Sequence, residues 1–457
     1  MLFANVTQLS YNAATLRRPA SVCGPVDTNL RETLVRHFIL CLCGGLMLAA
    51  AIPLSAAESV DAKLLGMLKA NGSITADQYA ELSADLAKEQ RKVARETVDK
   101  EELTTFQQKI GWAANTVVSG DVRVRQERIQ VENRSPEQTA SRQRYRARLA
   151  VVSQVTPSVE AGIRLASGNN NDVRSTNQDM NNYFTKKDIW LDRAYINWHP
   201  ENVVGLKMIA GRMSQPWVKV AESEMIWDND INPEGVAVQY SRKFGQTNVF
   251  GSSGVFTVKD NVTGSGPEFN NDLRLYYGQL GTNLFPGDNY KLTLGGSVFH
   301  YFKDASSPPN VSGGSLAANG NTSTQFQLYE GFGQLDILGL PLPLSLYTQY
   351  VTNPNANGPQ EDEDSGYLVG LLTRFWEIGV NYQYRDVERN AVVGAFTDSD
   401  FASGTTASHG HKLSLTYNIA KNFQFATTYF LTESDASNPP FPGSETNTFQ
   451  VDLIATF

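Results

Sequence analysis

Apolar and polar residues alternate through long segments between about Trp112 and Phe457. The clearest segment runs from Lys412 to Ile419, where every second residue is apolar. A period of two predicts β-strands that present one apolar and one polar face. Strands of soluble sandwiches are about half as long as these segments, so the pattern favours strands that cross a bilayer.

The alternating segments number about sixteen, an even count that suits a closed barrel. They begin near residues 115, 142, 158, 189, 203, 235, 247, 271, 289, 324, 343, 366, 378, 408, 421 and 446. Long and tight connections alternate between them, and the long ones cover about 131–141, 168–188, 213–233, 260–270, 304–322, 353–365, 391–406 and 433–445. This alternation predicts antiparallel strands, with both termini of the barrel's chain on the periplasmic side.

The chain finishes on an alternating segment with an aromatic last residue. One face holds Phe449, Val451, Leu453, Ala455 and Phe457. The other face is polar except for Ile454, its one apolar member. Such a strand is typical of outer-membrane β-barrels, so we expect Phe457 to serve as the assembly signal that the barrel-assembly machinery recognises.

Residues 1–57 have the order of a secretory leader. Basic residues precede the apolar run Phe38 to Ile52, and small residues follow it up to Ala57. This order predicts an N-terminal extension and a signal peptide cleaved after Ala57, with an uncleaved anchor as the alternative. All three cysteines lie in this segment, so the remainder of the chain is expected to hold neither a disulfide nor a thiolate metal site.

Residues 58–107 are rich in Ala, Leu, Glu, Lys and Gln and contain no proline. They predict a helix over Ser59 to Ala70 and a second helix to about Leu103, which begins with a capping box of Thr75 and Gln78. The second helix carries a narrow apolar stripe of Tyr79, Leu82, Leu86 and Val93. Three interpretations stay open: an amphipathic helix packed at the barrel mouth, a short periplasmic coiled coil between subunits, or an arm that contacts peptidoglycan.

These patterns predict an all-β transmembrane barrel of about sixteen antiparallel strands with a short N-terminal α-helical periplasmic segment. The predicted organisation is residues 1–57 as extension and signal peptide, 58–107 as the helical segment and 108–457 as the outer-membrane barrel.

Eight arginines share the polar face of the first four predicted strands. They are Arg123, Arg125, Arg142, Arg144, Arg146, Arg148, Arg164 and Arg193. A cation facing mid-bilayer lipid costs about 2–4 kcal/mol, so we expect these residues to line the pore. Guanidinium groups suit carboxylate and phosphate, and a wall of them would bias the pore towards anions. Alternatively, the arginines pair with carboxylates of loops and neighbouring strands and make a wet lumen rigid; for Arg193 the strand register is open, because Asp192 would then face outward.

The third long connection, Ser214 to Pro233, is a candidate constriction loop. It carries Trp217, Glu222, Glu224, Trp227, Asp228 and Asp230. Acidic groups facing the arginines would create a transverse field that favours dipolar or zwitterionic solutes. An external loop with ordinary surface charge explains the same residues equally well. The acidic run from Glu361 to Asp364 predicts a solvated loop tip, or cation bridging to lipopolysaccharide.

The residues outside the leader contain no pattern for catalysis, a metal or a cofactor. His409 and His411 stand two apart, a spacing too common to indicate a metal site. The glycine-rich stretches lack phosphate-binding spacing. A formal net charge of −8 does not suit a nucleic-acid binder. The sequence therefore predicts a protein that is not an enzyme.

The chain resembles the proteobacterial putative porin family, which is related to phosphate-selective O/P-type porins. The resemblance rests on the leader Phe38 to Ala57, the helical stretch Gly72 to Leu82, the Arg-rich second strand, the region Gly211 to Asp228 and Phe457. It implies a trimeric outer-membrane channel in a Gram-negative cell, surrounded by outer-membrane lipid and lipopolysaccharide, through which small hydrophilic solutes and ions diffuse passively. A structural barrel that anchors the periplasmic helical arm to the cell wall is the alternative.

Overall fold

The structure is a computed structural model that describes residues 60–132, 138–169, 172–260, 272–302, 304, 319–435 and 443–457. The predicted extension, signal peptide and cysteines lie outside these residues. The chain divides into two compact units, Met1–Asp99 and Lys100–Phe457. The elements of each are given separately below.

Two α-helices precede the barrel strands: α1 (Val60–Ala70) and α2 (Ala76–Ala114). The predicted capping box is confirmed, since the Thr75 amide donates to Gln78 Oε1 at 2.9 Å and the Gln78 amide donates to Thr75 Oγ1 at 3.3 Å. Helix α2 continues beyond the predicted end at Leu103, because no proline interrupts the residues that follow. Leu82 and Val93 of its apolar stripe are exposed. Within the described residues, neither helix has the length and hydropathy needed to cross a membrane.

Sixteen antiparallel strands form a closed β-barrel, which confirms the predicted fold. In chain order they are β1 (Thr116–Val131), β2 (Gln138–Thr156), β3 (Val159–Ala166), β4 (Trp190–Trp198), β5 (Leu206–Arg212), β6 (Glu234–Phe244), β7 (Thr247–Lys259), β8 (Leu273–Leu284), β9 (Tyr290–Phe302), β10 (Gln327–Ile337), β11 (Leu344–Thr352), β12 (Ser365–Phe375), β13 (Ile378–Val387), β14 (Ser408–Ala420), β15 (Phe423–Ser434) and β16 (Glu445–Thr456). The two-residue strand Gln178–Asp179 adds to β2 from a loop.

The barrel closes where β1 pairs with β16. Their register runs from Asp121 opposite Thr456 to Val131 opposite Thr446. Beyond it, the Gly120 amide donates to the Phe457 carbonyl at 2.9 Å and the Phe457 amide donates to the Gly120 carbonyl at 3.0 Å. A Cβ at position 120 would lie 2.4 Å from the Arg148 carbonyl and 2.6 Å from the Phe457 ring, so only glycine fits this seam.

Side chains alternate between the two faces of the strands as the period-two pattern requires, except at β-bulges. On β14, Leu413, Leu415 and Tyr417 point outward and are exposed, whereas Lys412 and Ser414 point inward. Long connections follow the odd-numbered strands, and tight turns follow the even-numbered strands. The last long connection leads from β15 to β16. The long connections that fill the barrel interior are L2 (residues 167–189), L3 (residues 213–233) and L7 (residues 388–407).

Candidate functional site

The inward faces of β1 and β2 bring charged residues side by side. Their register places Asp121 opposite Arg148, Arg123 opposite Arg146, Arg125 opposite Arg144 and Glu127 opposite Arg142. Two of these four pairs join like charges, which repel when they stand directly across two strands. Carboxylates from elsewhere are needed to balance them.

Part of that balance comes from β1 and its other neighbour, β16. Asp121 accepts from Arg146 Nε at 2.8 Å and from Arg148 Nε at 2.6 Å. Glu127 pairs with Arg142. Asp452 on β16 binds Arg125 through both oxygens, at 2.8 Å to Nε and 2.9 Å to Nη2. This fork geometry fixes the Arg125 guanidinium against the closing strand.

The long connections supply further carboxylates. Asp179 of L2 lies 2.8 Å from Arg144 Nε, and Asp230 of L3 lies 3.4 Å from Arg148 Nη1. Asp400 of L7 lies 3.1 Å from Arg125 Nη1. Each of the three loops is therefore tied to the arginine side of the barrel by an ion pair.

A β-bulge on β4 changes the expected orientation of one residue. Arg164 pairs with Arg193 and Leu165 with Leu191, which leaves Asp192 as the extra residue of the bulge. Asp192 is buried and pairs with Arg164, so the expectation that it faces outward is wrong. Arg193 also turns inward, where its Nε donates to Asn232 Oδ1 of L3 at 2.7 Å.

Arg123 and Arg193 differ from the other six arginines. Among the residues that the structure describes, neither has a carboxylate oxygen within 4.0 Å, whereas the other six each form an ion pair. Arg123 donates to Asn177 Oδ1 of L2 at 2.5 Å. On β16 it faces Ile454, while Arg125 faces Asp452. The apolar interruption in the polar face of the last strand therefore leaves Arg123 without a counter-ion.

L3 lies inside the barrel against the side opposite the arginines. Trp217 and Trp227 are buried with their ring centroids 4.8 Å apart. Trp217 packs edge-on against Phe256, Tyr277 and Phe299 of β7, β8 and β9 at 6.2, 5.2 and 5.3 Å. The described part of L3 also bonds to glutamine side chains that point inward from β6, β8, β10 and β11: Gln239, Gln279, Gln334 and Gln349. Only the interior of a closed barrel brings these strands to one segment.

L7 folds onto L3 within the same interior. Phe396 stacks on Trp227 with centroids 5.2 Å apart. The Asp228 amide donates to the Phe396 carbonyl at 2.8 Å, and the Asp398 amide donates to the Glu224 carbonyl at 3.0 Å. Main-chain bonds in both directions join the two loops into one assembly.

Sequence analysis gave L7 no role, although one signal was present. Both loops contain an Asp-x-Asp motif, and both motifs form the same turn. The Asp230 amide donates to Asp228 Oδ1 at 2.9 Å, and the Asp400 amide donates to Asp398 Oδ1 at 2.9 Å. The repeated motif marks two segments that present carboxylates from equivalent turns.

Several cations that the sequence did not single out hold the loop assembly. Lys412 of β14 lies 3.1 Å from Glu224 of L3 and 3.3 Å from Asp398 of L7. Arg174 of L2 donates to three carbonyls of L7, those of Gly394, Thr397 and Gly404 at 3.2, 3.3 and 3.0 Å. Arg385 of β13 stacks under the Phe401 ring, with Cζ 3.7 Å from its centroid.

Acidic groups of the loops are shifted in opposite directions. Burial raises the pKa of Asp228 well above its usual range, and the charges of Glu224, Asp230 and Asp398 raise it further. Burial also raises the pKa of Asp400, but Arg125, a hydrogen bond from Gln450, and the charges of Lys412 and Arg144 together outweigh this and lower it to about 2. The difference follows from the neighbours, since Asp228 faces carboxylates and Asp400 faces cations.

Between the arginine side and the loops lies a cavity of about 380 Å³. Its lining includes Arg123, Arg146, Asn177, Glu222, Asp228, Asp230, Asp400 and Lys412. Groups of both signs therefore face one water-accessible space. The described ranges contain no group of three or more His, Cys, Asp or Glu side chains arranged to hold a metal ion.

A closed β-barrel with charged side chains and inward-folded loops defines a protein of the porin class. The chain belongs to the putative porin family, whose profile matches residues 131–329 and 349–457. The family and the barrel fold support a porin channel of the outer membrane.

Two kinds of relative accompany the family match. Over 33 residues the chain is 70% identical to phosphate starvation-inducible protein 1 of Pseudomonas fluorescens, a stretch that is 7% of this chain and 85% of that protein. Solved structures of engineered variants of the Rhodopseudomonas blastica porin align with TM-scores of 0.40 and 0.41 at 11% identity, covering 75% of this chain and 100% of theirs.

Proposed function

We propose that the protein forms a water-filled channel through which small hydrophilic solutes and ions diffuse passively across the outer membrane of a Gram-negative cell. The observation that carries this proposal is the cavity lined by Arg123, Arg146, Glu222 and Asp230 inside a closed barrel. Fixed charges in a pore favour solutes that carry charge or a dipole over apolar ones. The channel acts as a homotrimer in lipid and lipopolysaccharide, with its helical segment in the periplasm.

The proposed anion bias comes from two arginines rather than from all eight. An ion pair cancels most of the field that a guanidinium projects into the pore. Arg123 and Arg193 lack such a carboxylate among the described residues, and Arg123 also lines the cavity. These two residues therefore provide the positive potential that attracts anions.

L3 is the proposed constriction of this channel. Its tryptophans fix it to the β7–β9 side, and its acidic residues Glu222, Asp228 and Asp230 line the same cavity as Arg123. Glu222 is exposed and forms no ion pair with any described residue. Arg123 and Glu222 together set up a transverse field across the cavity, which favours zwitterionic and dipolar solutes.

The test is the single-channel conductance and the reversal potential of the purified, folded protein in a planar bilayer across a KCl gradient. We expect steady conductance steps and a reversal potential directed towards chloride. Arg123→Ala should move that potential towards potassium, because the variant removes the cation that faces the cavity. Arg128→Ala is the matched control, since Arg128 is exposed on the outward face of the same strand. A silent wild-type protein would contradict the channel function, and an unchanged reversal potential in Arg123→Ala would contradict the anion role.

A second function from another class is a structural one, in which the barrel anchors the helical arm to the cell wall. The exposed apolar residue Leu82 on α2 favours it, because an exposed apolar side chain can contact a periplasmic partner. Deletion of residues 58–107 separates the two functions. Conductance should survive the deletion if the barrel is a channel, while envelope attachment should be lost if the arm is an anchor.

A further inference from the structure

L7 covers cations that strands β1, β13 and β14 direct into the barrel. We infer that L7 sets the ion selectivity of the channel by masking Arg125, Lys412 and Arg385, and that its displacement exposes a site for small inorganic anions. The inference rests on the proposed channel function. It assigns the selectivity to a loop other than the constriction loop L3.

Two of the three cations are masked by carboxylates of one short turn. Asp400 lies 3.1 Å from Arg125 Nη1, and Asp398 lies 3.3 Å from Lys412 Nζ. The two carboxylates are held in place because the Asp400 amide donates to Asp398 Oδ1 at 2.9 Å. A single turn thus adds a further carboxylate to cations from two strands that are not neighbours, β1 and β14, beside the Asp452 partner of Arg125 and the Glu224 partner of Lys412.

The third cation is masked by an aromatic ring. Arg385 is 1% exposed, and its Nε, Nη1 and Nη2 have no hydrogen-bond partner among the described residues. Its guanidinium lies 3.7 Å from the Phe401 centroid, and Phe401 is itself buried against Phe430. A buried guanidinium normally satisfies its five donors, so these donors are available to a ligand once the ring moves.

Arg385 and Lys412 would then act together. Lys412 pairs with Gln383, and Arg385 follows two residues later on the same inward face of β13. The Lys412 ammonium and the Arg385 guanidinium are therefore neighbours on the adjacent strands β14 and β13. Arg125 lies on β1, the strand that pairs with β16. A planar donor fork beside a compact cation suits chloride or inorganic phosphate better than a bulky or neutral solute.

The masked arrangement depends on contacts made by the rest of L7. Its backbone holds Ala402, Ser403 and Ala407 at φ of 47°, 58° and 52°, values that side-chain-bearing residues rarely adopt. The hydrogen bonds from Arg174 Nη1 to three L7 carbonyls and the Phe396–Trp227 stack oppose this strain. L7 is thus fastened by contacts on both sides of the turn that carries Asp398 and Asp400.

The test uses Asp398→Asn/Asp400→Asn in the full-length channel, with the reversal potential measured across a KCl gradient. We expect the chloride-to-potassium permeability ratio to rise by about threefold or more, because two counter-charges are removed in a low-dielectric constriction. Glu361→Gln/Asp362→Asn is the matched control, since it removes the same charge from exposed positions of another loop. Heat-dependent gel mobility checks that every variant is folded.

Substitution of Arg385 tests whether the gain in chloride permeability comes from exposing buried cations or only from removing two negative charges. In the Asp398→Asn/Asp400→Asn background, Arg385→Gln should remove part of the gain, and it should weaken block of the chloride current by added inorganic phosphate. If the wild type conducts but Asp398→Asn/Asp400→Asn has the same permeability ratio as the wild type, the inference on L7 is wrong. The channel function is then unaffected. A gain that does not depend on Arg385 would overturn the unmasking, and a wild type without conductance would overturn the channel function itself.

Discussion

The two sides of the barrel interior are built from different interactions. On the side formed by β7, β8 and β9, rings from the strands pack against Trp217. On the side formed by β1–β4, six of the eight arginines pair with a carboxylate. Apolar burial is strong and insensitive to salt, whereas ion pairs in a wet lumen are weak and can be exchanged. The aromatic side therefore fixes where L3 lies, and the charged side is where we propose that solutes are selected.

The largest effect should come from breaking the aromatic side. Trp217→Ala removes the ring at the centre of the cluster and should cost about 3–5 kcal/mol in the free energy of unfolding. L3 would then lose its hold, so we expect a larger and noisier single-channel conductance together with a lower melting temperature. Trp376→Ala is the control, because Trp376 is 81% exposed beside a tight turn. An unchanged conductance in folded Trp217→Ala would show that L3 does not narrow the pore.

A smaller effect, confined to selectivity, should come from adding a carboxylate opposite Arg123 on the charged side. Ile454→Asp would place a carboxylate opposite Arg123, as Asp452 stands opposite Arg125. We expect the reversal potential to move towards potassium by about as much as in Arg123→Ala, with little change in conductance. Ile454→Asn, similar in size but uncharged, should leave the potential near that of the wild type. Equal shifts in both variants would mean that the shape of the side chain matters and not its charge.

Acid should break the ion pair that Asp400 of L7 forms with Arg125 on the charged side. Because its pKa in the folded protein is lowered from 3.8 to about 2, its ion pair stabilises L7 fully above pH 4 and the stabilisation is lost as the pH falls through about 2. The groups that face it are Arg125, Arg144 and Lys412, all of which stay charged in this range. We therefore expect chloride preference to rise as the pH of both solutions is lowered from 4 to 2.

Asp400→Asn isolates this step from the other acids of the cavity. In that variant the part of the change near pH 2 should disappear. If the variant keeps the whole pH profile of the wild type, the acid response belongs to other carboxylates.

The smallest shift should come from Asn232→Asp, which gives Arg193 a carboxylate in place of an amide oxygen at 2.7 Å. Asp192 already lies beside this group, since Asn232 Nδ2 donates to Asp192 Oδ1 at 2.8 Å. The positive potential at Arg193 is therefore partly compensated in the wild type. We expect a slight movement of the reversal potential towards potassium, and a shift larger than that of Ile454→Asp would reverse the ranking of the two arginines.

Most of the fold follows from local sequence because the period of a strand is local. The alternation from Lys412 to Ile419 and the capping box of Thr75 and Gln78 each depend on residues within a few positions. The inward direction of the β1 and β2 arginines follows for the same reason. Element ends were less predictable, as α2 shows, since nothing in the sequence stops the helix at Leu103.

The partners of the arginines could not be predicted, because they depend on closure and on loop packing. Asp452 meets Arg125 across 327 positions of sequence, and only the β1–β16 register brings them together. The bulge at Asp192 adds one residue that an alternating pattern cannot reveal. Ile454 and the two Asp-x-Asp motifs were visible in the sequence, but their meaning required the register of the last strand and the fold of L7.

The seam between Gly120 and Phe457 has a consequence for biogenesis. The first strand of the barrel, β1, pairs with the last, β16, so the ring cannot close until the whole barrel sequence has been made. A contact of such long sequence separation forms slowly. Until it forms, the apolar outer faces of the strands are uncovered and the chain is prone to aggregate.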